Sequence, residues 1–188
     1  DMRIDTVRDV KTNIQNSVDF TISSDASKIF SMLASALYSN KELAVTYEIG
    51  ANCYDANPNT PFQVTLPTSL DSHIRFRDYG PGLSEKDVYL LLTVFGASNK
   101  SNDNSSIGGY GIGAKSPAAV TDTWNIISHH AGTGIEYLVF INDHGVPSLT
   151  KIRTFASTET GLEVIIPVKP SKFDTWRNAI YEAFTHYP

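Results

Sequence analysis

Cysteine is almost missing from this 188-residue sequence. Cys53 stands alone, so an internal disulfide is impossible and a reducing compartment fits. No apolar run approaches the roughly 18 residues that a membrane-spanning helix needs. The first residues do not join a charged segment to an apolar core, as a secretory signal would. A basic surplus is absent as well: 15 Lys and Arg against 20 Asp and Glu give a formal charge of -5, which argues against a dedicated nucleic-acid binder. Internal repeats and low-complexity tracts are also lacking. What is present is ordinary for a globular chain. Hydrophobic residues make up 41% and charged residues 19%, and the length suits one domain with a normal core.

Residues 1–17 are polar and weakly patterned, and read as an arm or an edge strand ahead of one domain over 18–188. Phe20-Thr21-Ile22 suits a short strand. Ser23-Ser24-Asp25 offers caps for a helix whose apolar residues Ile29, Leu33, Ala36 and Leu37 fall at helical spacing. A second helix is predicted over 41–56, stopped by Asn57-Pro58-Asn59-Thr60-Pro61. Strands follow at Phe62–Leu66 and His73–Asp78, then a short helix from Ser84 to about Leu92. Residues 96–113, rich in Gly, Ser and Asn, form a long loop of the kind that often serves as a lid. The remaining expectations are a helix from Gly113 to Val120, strands at Thr123–Ser128, Glu136–Asn142 and Glu163–Val168, a turn at His144–Pro147 and a closing helix over 171–185. This mixed order predicts an α+β sheet with helices on one face.

Within the 41–56 helix, Leu43, Tyr47, Gly50 and Tyr54 make an apolar stripe, and Val45, Ile49, Cys53 and Ala56 add to it. Glu48, Asn52 and Asp55 share one narrow polar face at i, i+4 and i+7. A helix apolar nearly all round is usually buried, and a buried carboxylate needs a partner. Two readings stand side by side. One is a solvated surface face. The other is a magnesium site, in which the Asn52 carbonyl is a hard oxygen ligand and Glu48, one turn away, orients a water.

Two glycine loops carry further signals. Asp78-Tyr79-Gly80-Pro81-Gly82 follows a strand; it is either an ordinary turn or a place where backbone approaches a ligand and Asp78 accepts from an amino group. The run Ile107–Ser116 is either a flexible surface loop or a phosphate cradle: four glycines precede a helix start, where exposed N–H groups favour phosphate, and Lys115 adds a cation. It is not a P-loop, because Ala114 stands where the lysine would follow Gly113. Nor does its G-x-G-x-G spacing, after a long loop, match a dinucleotide fingerprint. The five histidines (His73, His129, His130, His144 and His186) show no zinc spacing.

The order of these segments is more specific than any one of them. Glu48-x-x-x-Asn52-x-x-Asp55, then Asp78-x-Gly80-x-Gly82, then a polar loop ending Gly108-x-x-Gly111-x-Gly113, resembles the GHKL ATPases, the gyrase, Hsp90, histidine-kinase and MutL group. A closer resemblance is to the N-terminal ATPase-like domain of phage rIIA lysis-protector proteins. It is carried by Lys28-Ile29-Phe30, Leu37–Lys41, Arg77–Ser84, Ile107–Pro117, Thr121–Thr123 and Thr160–Val164, over roughly residues 18–185.

The resemblance implies a Bergerat fold, a two-layer α/β sandwich with a mixed, mostly antiparallel sheet. It implies an ATP-binding, Mg²⁺-dependent and slow ATPase, a hydrolase with ATP and Mg²⁺ as cofactors. Glu48 would be the general base and Asn52 the magnesium ligand. Asp78 would accept from the adenine amino group with Gly80 and Gly82 beside the base, and Asp55 would support the pocket. Gly108, Gly109, Tyr110, Gly111, Ile112 and Gly113 would wrap the phosphates, with Lys100 and Lys115 as cations. Two departures stand out. Leu162 follows Gly161 where many members carry threonine, leaving Thr160 as the substitute. The chain also has no room for the second domain whose lysine or arginine completes the site in gyrase and Hsp90.

The implied partners are ATP or ADP, a second copy of the chain, or a protein of the phage rII type, with no direct nucleic acid. The implied place is the cytoplasm of a phage-infected bacterial host, peripheral at the inner membrane by family resemblance alone. The Asp1-Met2 start and the missing coupling domain lead to the expectation of an N-terminal module from a longer protein. The alternative function is a nucleotide-sensing interaction module without turnover. A phosphotransfer kinase is a third and weaker reading.

Overall fold

The structure, a computed structural model, describes residues 18–19, 40–93, 115–143 and 147–185. The chain runs β1 (Val18–Asp19), α1 (Lys41–Ala56), β2 (Gln63–Thr65), β3 (His73–Arg77), α2 (Glu85–Thr93), a 3-10 turn (Ser116–Ala119), β4 (Thr123–His130), β5 (Thr133–Ile141), β6 (Pro147–Ala156), β7 (Gly161–Pro167), a second 3-10 turn (Pro170–Lys172) and α3 (Phe173–Phe184). The sheet order is β1-β6-β5-β4-β7-β3-β2. Six strands form its body and the two-residue β1 adds an edge. Every described pairing is antiparallel, so the expected admixture of parallel strands does not occur among the described residues. The class is α+β, a two-layer α/β sandwich.

Period-2 alternation decides which face the helices cover. Ile74 and Phe76 of β3, Trp124 and Ile126 of β4, Tyr137 and Val139 of β5 and Val164 and Ile166 of β7 share one core with helix residues Val45, Ile49, Val88, Leu92 and Trp176. The opposite face carries polar pairs such as Asn125 with Glu136, whose side chains are 2.8 Å apart. A register shift in the β5–β6 ladder, between Glu136 and Tyr137, leaves Ile152 half exposed. Arg153 is thereby set opposite Glu136, 2.6 Å away. Lys151, before the shift, reaches Glu85 of α2 on the helix side at 2.7 Å.

Helix α1 has the predicted bounds. Its N-cap is Asn40, whose side chain accepts from the Leu43 N–H at 3.0 Å. The inward face differs from the predicted stripe. The buried positions are Glu42, Val45, Thr46, Ile49, Gly50 and Cys53, while Tyr47 is 45% and Tyr54 40% exposed. Packing against α3 makes that choice. Gly50 leaves room for the Phe184 ring, and Glu42 pairs with Lys172 at 2.9 Å.

Other expectations shift for local reasons. The predicted helix over 113–120 is a 3-10 turn at Ser116–Ala119, closed by three-residue bonds from Ala118 N–H to the Lys115 carbonyl and from Val120 N–H to the Pro117 carbonyl. β5 begins at Thr133 rather than Glu136, because Ala131 (φ 49°) and Gly132 (φ 81°) make a two-residue hairpin turn with both φ positive. β6, ten residues long, is not among the strands that the sequence predicts. The arm 1–17, the strand at 20–22, the helix from Ser23 and the loop 96–113 lie outside the described residues. Among the described residues no helix is long and apolar enough to cross a membrane.

Candidate functional site

A recess lies between α1, α2 and the sheet. Its lining is apolar (Ile49, Cys53, Leu83, Leu92, Ile126, Leu162 and Val164 among others), and two polar side chains break it: Asn52 and Asp78. An apolar cleft with a few fixed polar groups is the usual form of a small-molecule site.

Asp78 follows β3 and is 3% exposed. Its Oδ1 accepts from the Gly80 N–H at 2.9 Å and the Leu162 N–H at 3.2 Å. Its own N–H donates to the Leu162 carbonyl at 3.0 Å. Burial raises its pKa, while the two N–H bonds and the Arg77 charge oppose the rise. The loop after it is strapped to β4 and α1. Ser128 Oγ accepts from Leu83 N–H at 2.8 Å and donates to the Leu83 carbonyl at 2.7 Å. His130 Nδ1 donates to the Pro81 carbonyl at 3.0 Å, and Asn57 Nδ2 to the Tyr79 carbonyl at 3.1 Å.

Gly82 and Gly161 are structural necessities of this arrangement. Gly82 has φ 69°, and a Cβ there would overlap the His129 carbonyl oxygen. Gly161 has φ 106°, and a Cβ there would overlap the Asp78 carbonyl oxygen. Both are backbone approaches that only glycine permits.

Of the residues singled out from the sequence, Asn52 and Asp78 come together on the recess wall, with Gly80 and Gly82 in the loop beside them. Glu48 and Asp55, on the same helix as Asn52, are exposed and are not among the residues lining the recess. Thr160 is exposed, and its carbonyl accepts from Arg77 at 2.8 Å. Lys115 is buried at 1% exposure, and burial pulls its ammonium down to about 8. Lys100, Gly108, Gly109, Tyr110, Gly111, Ile112 and Gly113 lie outside the described residues.

Over 176 aligned residues the chain is 25% identical to the chaperone protein HtpG of Psychrobacter arcticus, covering 79% of this chain and 26% of the chaperone. The chain therefore spans about a quarter of that relative's length. No family model matches it.

Sequence reasoning missed three parts of the site. Leu162, noted only as a departure from a family pattern, lines the recess and bonds Asp78 through its N–H. Arg77 carries no signal of its own in the sequence beyond its place in the Arg77–Ser84 run. Cys53 was weighed as an apolar helix residue, and i+4 spacing from Ile49 was the one signal that it shares that inward face. Burial first, then the nearby Asp78 charge, push the Cys53 thiol well above its ordinary range, against the pull of Arg77. Cys53 is expected to resist iodoacetamide at pH 8 in the folded protein and to react fully once unfolded. Rapid labelling of the native chain, followed by mass spectrometry, would contradict the buried placement.

Proposed function

We propose that the chain is an ATP-binding domain of the GHKL class with a Bergerat fold, acting as a slow Mg²⁺-dependent ATPase. The observation that carries this reading is Asp78: a buried carboxylate on the wall of an apolar recess, held by two backbone N–H bonds, with Asn52 on the same wall. A flat base fits such a wall, and its amino group would find an acceptor in Asp78. The similarity to HtpG, an Hsp90-type ATPase, supports the same class.

The donor set is compatible with magnesium. Mg²⁺ keeps most of its waters and takes one or two protein oxygens along with phosphate oxygens, so the Asn52 carbonyl is a sufficient protein ligand. Bound there, the ion would neutralise phosphate charge, which an acidic chain needs. The finer kinship to phage rIIA-like proteins rests on the sequence motifs. So do closure of the segment 96–113 or dimerisation on nucleotide binding, readout by a protein partner, and a place in the host cytoplasm.

A specific observation favours the second reading, nucleotide sensing without turnover: Glu48, the base the motif implies, is exposed and does not line the recess. Glu48→Ala separates the two. If the domain is an ATPase, the substitution removes phosphate release, with a loss of 100-fold or more expected for a general base, and leaves ADP affinity within about twofold. No phosphate release from the wild type, with intact ADP binding by calorimetry, establishes the sensing module instead. Absence of ADP and ATP binding in the wild type, with and without Mg²⁺, sinks both.

A further inference from the structure

Arg77 lies on the sheet face away from the helices, yet it is only 8% exposed. All three nitrogens of its guanidinium meet a partner. NH1 donates to the Asp78 carbonyl at 2.6 Å, and NH2 donates to the Thr160 carbonyl at 2.8 Å and to Glu159 Oε2 at 3.0 Å. Nε sits 3.5 Å from Glu163 Oε1, and the guanidinium carbon lies 4.9 Å over the Tyr79 ring. The Asp78 peptide is thus gripped twice. Leu162 takes its N–H within the sheet at 3.0 Å, and Arg77 holds its carbonyl from the outer face.

We propose that Arg77 is the positioning residue of the recess: by clamping the Asp78 and Thr160 carbonyls together, it fixes the Asp78 carboxylate on the wall that meets the ligand. The inference rests on the reading of Asp78 as the ligand acceptor. Lysine cannot replace the fork, because one ammonium does not reach two carbonyls and a carboxylate in that fixed plane. The positive charge also opposes the rise in Asp78 pKa caused by burial.

Several groups complete the electrostatic surroundings. Cys53 approaches Asp78 from α1. Glu163 and Glu159 face Arg77, and His129 of β4 lies 3.5 Å from Glu163 with its Nδ1 2.7 Å from Ser157 Oγ.

The test compares wild type, Arg77→Lys and Arg77→Gln. ADP affinity is measured by calorimetry, and the ionisation midpoint of Asp78 by carbon-detected carboxyl NMR in the ligand-free protein. Arg77→Lys is expected to weaken ADP about tenfold while leaving the Asp78 midpoint in place, since the charge remains. Arg77→Gln is expected to weaken ADP at least as much and to move the midpoint to higher pH. A purely structural role would not divide affinity from ionisation in this way. Wild-type affinity in Arg77→Lys overturns the proposal, even if Arg77→Gln does not fold. Should the wild type bind no ADP, the ligand reading fails by itself. Arg77 is then judged on the ligand-free NMR, where unchanged backbone amide shifts of Asp78 and Leu162 in folded Arg77→Lys overturn the clamp.

Discussion

Replacing Asp78 with asparagine is expected to weaken ADP binding by about 10- to 100-fold while leaving the domain as stable as the wild type or more so at neutral pH. Asparagine keeps the carbonyl oxygen that accepts from Gly80 and Leu162. What it removes is the charge, and it places an amide donor where the ligand's amino group needs an acceptor. The stability half follows from burial. Burial is the largest influence on Asp78 and raises its pKa in the folded state above the ordinary 3.8. A raised pKa means the folded state binds the proton more tightly than the unfolded state does. The protonated form therefore favours folding below the unfolded pKa, and that advantage is lost as pH rises through the folded value. Relative to asparagine, aspartate should cost stability near pH 7 and much less in acid. Urea midpoints for both proteins at pH 7 and at mildly acid pH check this. A destabilised variant at pH 7 would mean that the carboxylate's hydrogen bonds outweigh its desolvation. Undiminished ADP binding would remove Asp78 from the site.

Gly161→Ala is expected to lower the melting temperature by about 10 °C. A side chain at φ 106° meets the handedness penalty of roughly 1–2 kcal/mol, and the Cβ also falls on the Asp78 carbonyl oxygen and 2.7 Å from Arg77 NH1. Relieving that overlap costs roughly another 1–3 kcal/mol, because both neighbours are held, one as backbone and one as a guanidinium bonded to two carbonyls and a carboxylate. Gly82→Ala should behave alike, since its Cβ would strike the His129 carbonyl. Gly132→Ala is the control. Its φ is 81°, yet nothing lies within 4 Å of the added carbon, so only the handedness penalty applies, about 1–2 kcal/mol. Equal losses at Gly161 and Gly132, measured by thermal unfolding, would show that the close approach of β7 to the Asp78 loop is not tight. The Gly161 variant should also lose ADP affinity, because any shift that relieves the overlap moves the Asp78 peptide.

Local signals carried a large part of this molecule. The Asn57-Pro58 stop ends α1 where the structure ends it, because a break acts within a few residues. The alternation of β3, β4 and β7 is likewise readable, since apolar and polar faces alternate along each strand. So is the pairing of Asn52 with Asp78 as site candidates, through the order of their motifs. β6 escaped because Lys151 and Arg153 flank a half-exposed Ile152, and the register shift breaks the alternation there. The hairpin at Ala131-Gly132 escaped because alanine is a rare tenant of positive φ.

What no window of residues contains is the choice among equally apolar helix faces and the meeting of distant segments. Val45, Ile49 and Cys53 turn inward, and Tyr47 and Tyr54 outward, because Phe184 packs on Gly50 and Lys172 pairs with Glu42 from the far end of the sequence. Arg77 reads as a strand cation until Thr160, 83 residues later, brings its carbonyl to the guanidinium. Periodicity and caps are short-range energies and so are written in neighbouring residues. Burial, pKa and the aim of a side chain depend on atoms that only the closed sheet brings together.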